Sequence, residues 1–443
     1  DWEVKRILPI INEDINEEWI SDKTRYACDG LLHQRLDTPF IKYNGKFEKA
    51  SWQEVYKIIK SKFENTSNEK ICGFVGDLTN METSYIFKEF FDRTLDTDNY
   101  EFRPDNRFID TSRRENYLLN TSINGIEESD LVFLIGTNPR YEGTILNARI
   151  RKSYLSNNTK IISLNDLGDL TYPYMSLDGQ TETLKNIFND NHEISKKIKD
   201  AKKPMIILGE SLLNLDSSKY LFNIIKQFLN KNDKLNDDWN ALNILSCDAS
   251  TVGNIDIGLI NENKNLINEL RNNKFEIIFL VGQDNLKFDK KNEFIIYQGS
   301  HGDKGAEIAD IILPGSAYTE QDGYFTNIEG KIQKAQKASY PPGDAKEDWH
   351  IINELAEFMN NRKLFNDKDE LESSMFNYLN LQKEKQESSK QTVNLISDSD
   401  FKNENLEVIV KDYYFSNVIA RSSKTMVECN NSKIKLKSTG TEG

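Results

Sequence analysis

Short apolar runs, each ending at a glycine or a turn, constrain the fold of this chain most strongly. They lie at residues 70–76, 130–136, 160–164, 204–209, 242–246, 275–282, 294–298 and 310–314. Amphipathic patterns of helical period follow several of them, at residues 82–93, 142–154, 217–229 and 261–271. Because these runs are apolar throughout and do not alternate, they predict strands of parallel sheets covered by helices on both faces. Their number is sufficient for two such sheets.

The predicted fold is therefore α/β, with two parallel-sheet, Rossmann-like lobes. We place the first lobe at residues 51–200 and the second at 201–362, dividing near the run that begins at residue 204. Residues 1–50 contain short alternating segments around an Asn44-Gly45 dipeptide, which is typical of a hairpin turn and predicts a small β-rich cap.

The C-terminal region has a different character. Asp344, with Glu347 three residues later, predicts the N-cap of a helix over residues 344–361. Residues 363–443 then predict a polar linker and a helical or irregular C-terminal tail, in which residues 366–400 form a solvated helix or a linker. Apolar character returns at residues 406–414.

Charge and cysteine spacing exclude several classes of function. The 57 basic residues are outnumbered by 71 acidic ones, a net charge of −14, which disfavours nucleic acid as a main ligand. The cysteines (Cys28, Cys72, Cys247 and Cys429) have none of the short spacings that bind zinc or an iron–sulfur cluster, and four scattered histidines predict no metal site. The longest apolar runs are of strand length, so we expect no membrane span. The first residue is Asp1 rather than methionine, which suggests a processed end or the boundary of a fragment.

One loop could bind a cofactor. Gly136, Asn138, Pro139 and Arg140 follow the run at 130–136 directly and precede a helix pattern. Loops at the carboxyl ends of parallel strands bind ligands, and helix N-termini there favour phosphate, so the loop could hold the pyrophosphate of a dinucleotide or a pterin. The alternative is a tight strand-to-helix turn that needs Gly and Pro for backbone reasons.

The sequence gives weaker evidence for other catalytic or metal-binding residues. The loop His301–Gly305 could present a catalytic His-Asp pair, although an ordinary polar turn between two strands would have the same residues. Glu320, Asp322 and Glu329 are potential ligands of a hard cation but lack an EF-hand order. Ser211 and Ser316 lack the GxSxG elbow of serine hydrolases. We therefore predict no catalytic residue and no metal site.

Longer strings resemble one family throughout the chain, the large iron–sulfur subunit of respiratory complex I, NADH:ubiquinone oxidoreductase. They are Arg6–Pro9, Asn12–Arg25, Gly30-Leu31, Gln34–Pro39, Ile135–Arg140, Leu146–Lys152, Tyr297–Asp303, Ala309–Gly315, Thr319–Gly323, Thr326–Gly330, Pro341–Asp344, Glu347–Trp349 and Asp412–Met426. The chain is similar to the C-terminal half of that subunit, which itself resembles molybdopterin oxidoreductases such as formate dehydrogenase.

The resemblance implies the molybdopterin oxidoreductase type of fold and a separate, N-terminal half that carries the iron–sulfur clusters. Cys28 stands alone where related proteins place several cysteines, so no cluster is expected here. The loop of Gly136, Asn138, Pro139 and Arg140 is then a vestige of pterin binding, and no cofactor is expected in this chain. Iron–sulfur clusters and FMN are expected in partner chains or in the N-terminal half.

The function implied is that of a non-redox, structural half that supports NADH-to-ubiquinone electron transfer in the peripheral arm of the complex. Expected partners are the iron–sulfur half and the flavin-bearing and other peripheral-arm subunits. The expected location is the matrix side of the mitochondrial inner membrane, or else the cytoplasmic face of a bacterial inner membrane. The alternatives are an active molybdopterin oxidoreductase and a nucleotide-binding regulator.

Overall fold

A computed structural model describes residues 3–261, 264–388 and 397–439. Within these ranges the strands form two sheets and one separate hairpin. The strands are β1 Phe40–Tyr43, β2 Lys46–Lys49, β3 Ile71–Val75, β4 Tyr100–Glu101, β5 Leu131–Ile135, β6 Lys160–Ser163, β7 Met175–Ser176, β8 Pro204–Gly209, β9 Leu242–Leu245, β10 Ile277–Val281, β11 Phe294–Gly299, β12 Ile311–Pro314, β13 Gly323–Thr326 and β14 Ile332–Ala335.

Helices cover both sheets. They are α1 Asp22–Tyr26, α2 Trp52–Glu64, α3 Met81–Phe90, α4 Pro139–Glu142, α5 Thr144–Asn157, α6 Thr181–Phe188, α7 Glu193–Asp200, α8 Glu210–Leu213, α9 Ser218–Lys231, α10 Thr251–Ile257, α11 Leu266–Arg271, α12 Lys304–Ile308, α13 Asp348–Asn360, α14 Lys368–Ser388, α15 Val418–Ser422 and α16 Lys424–Thr439. Among the described residues, none of these helices is both long and apolar enough to cross a membrane.

The larger sheet has seven strands in the order β2-β1-β12-β11-β10-β3-β4. Its strands from β12 to β4 are parallel, and the hairpin of β1 and β2 adds an antiparallel edge. The smaller sheet is parallel throughout, in the order β7-β6-β5-β8-β9. Every residue of the central strands β3, β5, β8 and β10 is buried, as the continuous apolar runs predicted.

The two sheets do not follow one another along the chain. The chain leaves the larger sheet after β4, builds the smaller sheet with β5 to β9, and returns with β10. The division we predicted between residues 51–200 and 201–362 therefore differs from the observed sheets, because β8 at 204–209 pairs with β5. An apolar run specifies burial of a strand but not its partner, so a contiguous division was the simplest expectation.

The predicted hairpin turn is present, but it belongs to the larger sheet. Asn44 and Gly45 both have positive φ, +48° and +79°, as the tight turn between β1 and β2 requires. Phe40 of β1 pairs with Ile312 of β12, which makes the hairpin an edge of that sheet. The described residues before β1 contain no strand, so they differ from the β-rich cap predicted for residues 1–50.

The C-terminal helices differ from the prediction at two points. α13 begins at Asp348 with Glu347 as its N-cap, so the prediction of Asp344 as the cap is wrong. The backbone N–H of Asp344 instead donates to the carbonyl of Asp37, 2.7 Å away, which holds residue 344 in the preceding turn. α14 matches the helix that was one alternative for residues 366–400, but it is not merely solvated, because Leu371 and Met375 pack into the core of the larger sheet. Of the rest of the predicted range, residues 389–396 lie outside the described residues, and Asp398–Asp400 form a short 3-10 helix.

Candidate functional site

The carboxyl ends of both sheets open into one cleft. The hydroxyl of Ser250, after β9, donates to the carbonyl of Gly76, after β3, at 2.9 Å, so loops from the two sheets touch there. The cleft encloses about 210 Å³ and is lined by the loop after β3, the α4 region, the loop after β9 and residues 410–417 of the tail. Open parallel sheets bind their ligands at this position, which makes the cleft the candidate site.

The loop after β5 takes up the tight-turn geometry. Gly136 has a φ of +68°, and a Cβ on it would lie 2.5 Å from the backbone nitrogen of Leu212. The Asn138 side chain caps α4 by accepting from the backbone N–H of Arg140 at 3.2 Å. Pro139 follows as the first residue of α4, where it needs no hydrogen-bond donor.

A carboxylate of the chain occupies the place at this loop where a phosphate could bind. Glu142 Oε2 accepts from the Thr137 hydroxyl and from the backbone N–H of Asn138, both at 2.6 Å. Arg140 forms an ion pair with Asp169 at 2.7 Å. The donors that an anionic ligand would need are therefore engaged within the chain.

An ion cluster lies deeper in the cleft. Lys411 Nζ of the tail contacts Asp248 Oδ1 at 2.5 Å, and Asp77 accepts from the Asn285 amide at 3.0 Å. Burial, with Asp248 nearby, raises the pKa of Asp77 to about 7. Burial alone would lower the pKa of Lys411, but the carboxylates of Asp248, Glu210 and Asp77 outweigh it and raise that pKa.

Arg107 connects this cluster to the smaller sheet. The guanidinium is buried and contacts Glu210 at 2.5 Å and Asp105 at 2.8 Å. Glu210 follows β8 directly, and burial raises its pKa although Arg107 opposes the shift. Residues from the β4–β5 connection, from α8 and from the tail thus meet through charge at the carboxyl ends of the strands.

The tail crosses the cleft and is held along its length. The backbone N–H of Ile409 donates to the Ser211 hydroxyl at 3.0 Å, and Lys23 Nζ donates to the Ser416 hydroxyl at 3.0 Å. Between them the Tyr413 ring meets that of Tyr141 edge to face, with 6.2 Å between centroids. The chain itself therefore fills part of the cleft.

Cys247 is the cysteine that faces the cleft. Its Sγ donates to Glu142 Oε1 at 3.5 Å, and its backbone N–H donates to Glu210 Oε1 at 3.0 Å. Burial and the nearby carboxylates raise the pKa of this thiol, so it stays protonated at neutral pH. A metal ligand must be a thiolate, so these surroundings disfavour ligation.

A pterin with its pyrophosphate does not fit this cleft. The lining is rich in carboxylates, the Asn138 N–H is already bound by Glu142, and the tail occupies part of the space. At the loop after β5 an anionic cofactor would therefore meet the Glu142 carboxylate in place of free donors.

The other predicted candidates are dispersed and bonded within the fold. His301 is buried, with Nε2 at 3.0 Å from the Gly30 carbonyl and Nδ1 at 2.8 Å from the Ser300 hydroxyl. Burial lowers its pKa to about 4, so the ring is neutral at pH 7. Asp303 pairs with Arg421 at 2.5 Å. The loop His301–Gly305 therefore joins the N-terminal segment to the tail.

The acidic candidates also have internal partners. Glu320 binds Arg35 through both carboxylate oxygens, at 2.5 and 2.6 Å, and Glu329 accepts from the backbone N–H of Ile123 at 2.9 Å. Asp322 accepts from the backbone N–H of Lys337 at 2.8 Å. In the described part of the chain, no group of three or more His, Cys, Asp or Glu side chains is placed to hold a metal ion.

Sequence reasoning missed the ion cluster of the cleft. Asp77, Glu210 and Asp248 each come within two residues after an apolar run, which is a detectable signal. Lys411 gives no such signal, because its partner Asp248 is distant in sequence.

The class of this protein is defined by a family match that spans most of the chain. Residues 35–358 match the family model described as molybdopterin oxidoreductase, so the chain belongs to that family. Two shorter matches are more specific. Residues 370–429 match the C-terminal region of the G subunit of NADH-ubiquinone oxidoreductase, and residues 2–29 match the NDSU1/NuoG-like 4Fe-4S domain of NADH-ubiquinone oxidoreductase.

Curated relatives agree with the two shorter matches. The NADH-ubiquinone oxidoreductase 75 kDa subunit of Reclinomonas americana is 37% identical over 97% of this chain and 65% of its own length. The G subunit of the NADH-quinone oxidoreductase of Rickettsia bellii is 37% identical over 99% of this chain and 64% of its own length. The mitochondrial NADH-ubiquinone oxidoreductase 78 kDa subunit of Candida albicans is 36% identical over 96% of this chain and 61% of its own length. The chain thus spans just under two-thirds of these relatives, and the predicted resemblance is confirmed.

Solved structures support the fold. Acetylene hydratase from Pelobacter acetylenicus superposes with a TM-score of 0.55 at 12% identity, covering 80% of this chain and 65% of that one. At such low identity the likeness shows the fold alone, and it confirms the predicted fold class.

Proposed function

We propose that this chain is a non-redox, structural part of the large subunit of NADH:ubiquinone oxidoreductase, supporting electron transfer through the peripheral arm. One observation carries the proposal. The cleft where parallel-sheet proteins bind their cofactors is partly filled by the chain's own tail, with Lys411 paired to Asp248 inside it.

The loop after β5 supports the same proposal. Glu142 holds the Asn138 N–H, and Gly136 packs tightly against Leu212, so the loop functions as a structural turn. We propose that Gly136, Asn138, Pro139 and Arg140 are a vestige of a pterin site and that this chain carries no catalytic residue.

Redox centres are then supplied from elsewhere. Cys28 packs among Leu31, Ala317 and Ile419, and Cys72 lies within β3, so neither offers a thiolate to a shared site. An iron–sulfur cluster needs several converging thiolates. We propose that the clusters and FMN belong to partner chains or to the portion of the relatives' length that this chain does not span.

The proposed partners are the iron–sulfur half of the subunit and the flavin-bearing and other peripheral-arm subunits. Relatives include both mitochondrial and bacterial proteins, so we propose peripheral attachment at the matrix side of the mitochondrial inner membrane. The bacterial equivalent is the cytoplasmic face of the inner membrane.

The test is to follow peptides of this chain through a native gel of detergent-extracted membranes by mass spectrometry. We expect co-migration with flavin-bearing and iron–sulfur subunits in one very large assembly. Migration as a free species near 51.3 kDa would contradict the proposal. Molybdenum and pterin bound stoichiometrically to that free species would favour the alternative, an active molybdopterin oxidoreductase.

A further inference from the structure

Two Asn-Gly dipeptides, Asn44-Gly45 and Asn124-Gly125, bring an asparagine side chain next to a glycine amide nitrogen. In such a dipeptide the glycine nitrogen can attack the side-chain carbonyl carbon, and the absence of a Cβ on glycine leaves that approach open. The two dipeptides carry the same reacting groups. A difference in their reactivity within the folded chain therefore reports on their surroundings.

The first dipeptide forms the tip of the hairpin of β1 and β2, and its reacting groups are free. Asn44 and Gly45 are both exposed. Among the described residues, neither the Asn44 side chain nor the backbone N–H of Gly45 has a hydrogen-bond partner. β2 is exposed along its whole length, and a Cβ at Gly45 would meet nothing within 4 Å. The end of an exposed hairpin opens at low cost, so both water and the rotation needed for attack are available at this tip.

The second dipeptide is held at each reacting group. Asn124 Nδ2 donates to Asp14 at 3.1 Å, and Asn124 Oδ1 accepts from the Ser122 hydroxyl at 2.8 Å. The backbone N–H of Gly125 donates to the same hydroxyl oxygen at 3.2 Å, and Gly125 is buried in a 3-10 helix. Attack at this dipeptide would have to break these hydrogen bonds and unwind the helix.

We propose that Asn44 is a site of spontaneous deamidation, whereas Asn124 is protected from it. The Gly45 nitrogen forms a bond to the side-chain carbonyl carbon of Asn44, and the bond from that carbon to the side-chain nitrogen breaks. The proton of the attacking nitrogen passes through water to the nitrogen that leaves, which is released as ammonia. Water then opens the cyclic imide at either carbonyl, giving aspartate or isoaspartate. The reaction consumes only water, so the modified fraction increases with the age of the chain. This inference goes beyond the proposed function and does not depend on it.

The isoaspartyl product disturbs the hairpin. Isoaspartate carries the backbone through Cβ and so adds one methylene to a turn of two residues. That turn sets the register of β1 and β2, in which Tyr43 pairs with Lys46. The isoaspartyl form therefore loosens the antiparallel edge of the larger sheet, whereas the aspartyl form fits the left-handed backbone of the turn.

The test ages the folded, purified chain at pH 8 and locates deamidation by peptide mass spectrometry. Digestion in water enriched in heavy oxygen labels any deamidation that occurs during handling. We expect Asn44 to deamidate at least tenfold faster than Asn124 in the folded chain, because its reacting groups can reach the geometry of attack. In denaturant the two rates should agree within threefold, since the contacts that hold Asn124 are then lost.

A matched variant tests the effect on the hairpin. Asn44→Gly keeps a Gly-Gly pair suited to the same turn and removes the reacting amide. We expect the isoaspartyl fraction of the aged parent chain to exchange the amide hydrogens of β1 and β2 at least fivefold faster than the fresh chain. The aged variant should exchange them as slowly as the fresh variant.

Three results would contradict the proposal. Equal deamidation of Asn44 and Asn124 in the folded chain would overturn it. A tenfold difference that persists in denaturant would also overturn it, because flanking sequence and not structure would then set the two rates. An isoaspartyl form whose β1 and β2 amides exchange as slowly as those of the fresh chain would overturn the effect on the register. The proposed function stands or falls by its own test in each case.

Discussion

Glu82 is buried at the start of α3, where its Oε2 accepts from the backbone N–H of Tyr324 at 2.9 Å. Burial raises the pKa of this carboxyl from 4.5 to about 7. Between those two values the folded chain retains a proton that the unfolded chain releases. The stabilising contribution of this proton is therefore fully present below pH 4.5 and is lost as the pH rises through about 7.

Replacing Glu82 with glutamine should remove this pH dependence, because an amide resembles the protonated carboxyl at every pH. At pH 8 we expect the variant to be more stable by about 1–3 kcal/mol, and at pH 5 to be close to the parent chain. Thermal unfolding at the two pH values measures the difference. Glu18→Gln, at an exposed position, is the control and should change neither value. A variant less stable than the parent at pH 8 would show that the carboxylate itself is required.

The turn after β5 and the turn around residue 168 provide a matched pair at the scale of single elements. Gly136 and Gly168 have nearly identical φ values, +68° and +69°, but different surroundings. A Cβ at residue 136 would meet the backbone of Leu212 at 2.5 Å, whereas a Cβ at residue 168 would meet nothing within 4 Å.

Substituting alanine at each position should separate backbone strain from crowding. Gly168→Ala should cost about 1 kcal/mol from the left-handed backbone alone. Gly136→Ala should cost roughly 1–3 kcal/mol more, because the loop after β5 must move away from α8. Thermal or denaturant unfolding of both variants gives the comparison. Equal losses would mean that the contact with Leu212 adjusts freely and that the turn is not tightly packed.

Lys411 anchors the tail within the cleft. Replacing it with methionine removes the ion pair with Asp248 but keeps most of the aliphatic stem. We expect residues 406–417 to exchange amide hydrogens at least several-fold faster, because local opening of the tail then costs less. The control is Lys402→Met, whose pair with Asp216 is exposed and contributes little. Equal exchange of the tail in both variants would contradict the anchoring role.

The elements of this fold were predictable to different degrees. Runs such as 131–135 and 277–281 are buried on both faces, so their composition identifies them as strands. Their pairing was not predictable, because β3 finds its neighbour β10 about 200 residues later, after a whole second sheet has intervened. The ion cluster depends on the same long-range closure, since it brings Asp77, Asp248 and Lys411 to one place.

At the scale of the whole molecule, the smaller sheet is an insertion between strands of the larger one, and the cleft joins the two. The Ser250–Gly76 hydrogen bond connects the loops of the two sheets, and Arg107 connects the loop after β4 to Glu210 after β8. The tail adds a further link. Beyond the cleft, its Arg421 forms an ion pair with Asp303. These contacts connect the two sheets at the cleft, so we expect the sheets to unfold together.

If the two sheets are coupled, a substitution that destabilises the smaller sheet should also affect unfolding of the larger one. Phe133 of β5 is fully buried in the smaller sheet, and Phe133→Ala should cost about 3–5 kcal/mol there. If the contacts across the cleft make the two sheets unfold in one step, amides of β10 in the larger sheet should lose protection from hydrogen exchange together with those of β5. Sheets that unfold together have the same free energy of unfolding. Lost protection confined to residues 131–245 would instead mean that the inserted sheet unfolds alone. In that case the ion cluster and the tail would be local supports of the cleft, and the rigidity that the proposed structural role requires would have to come from partner subunits.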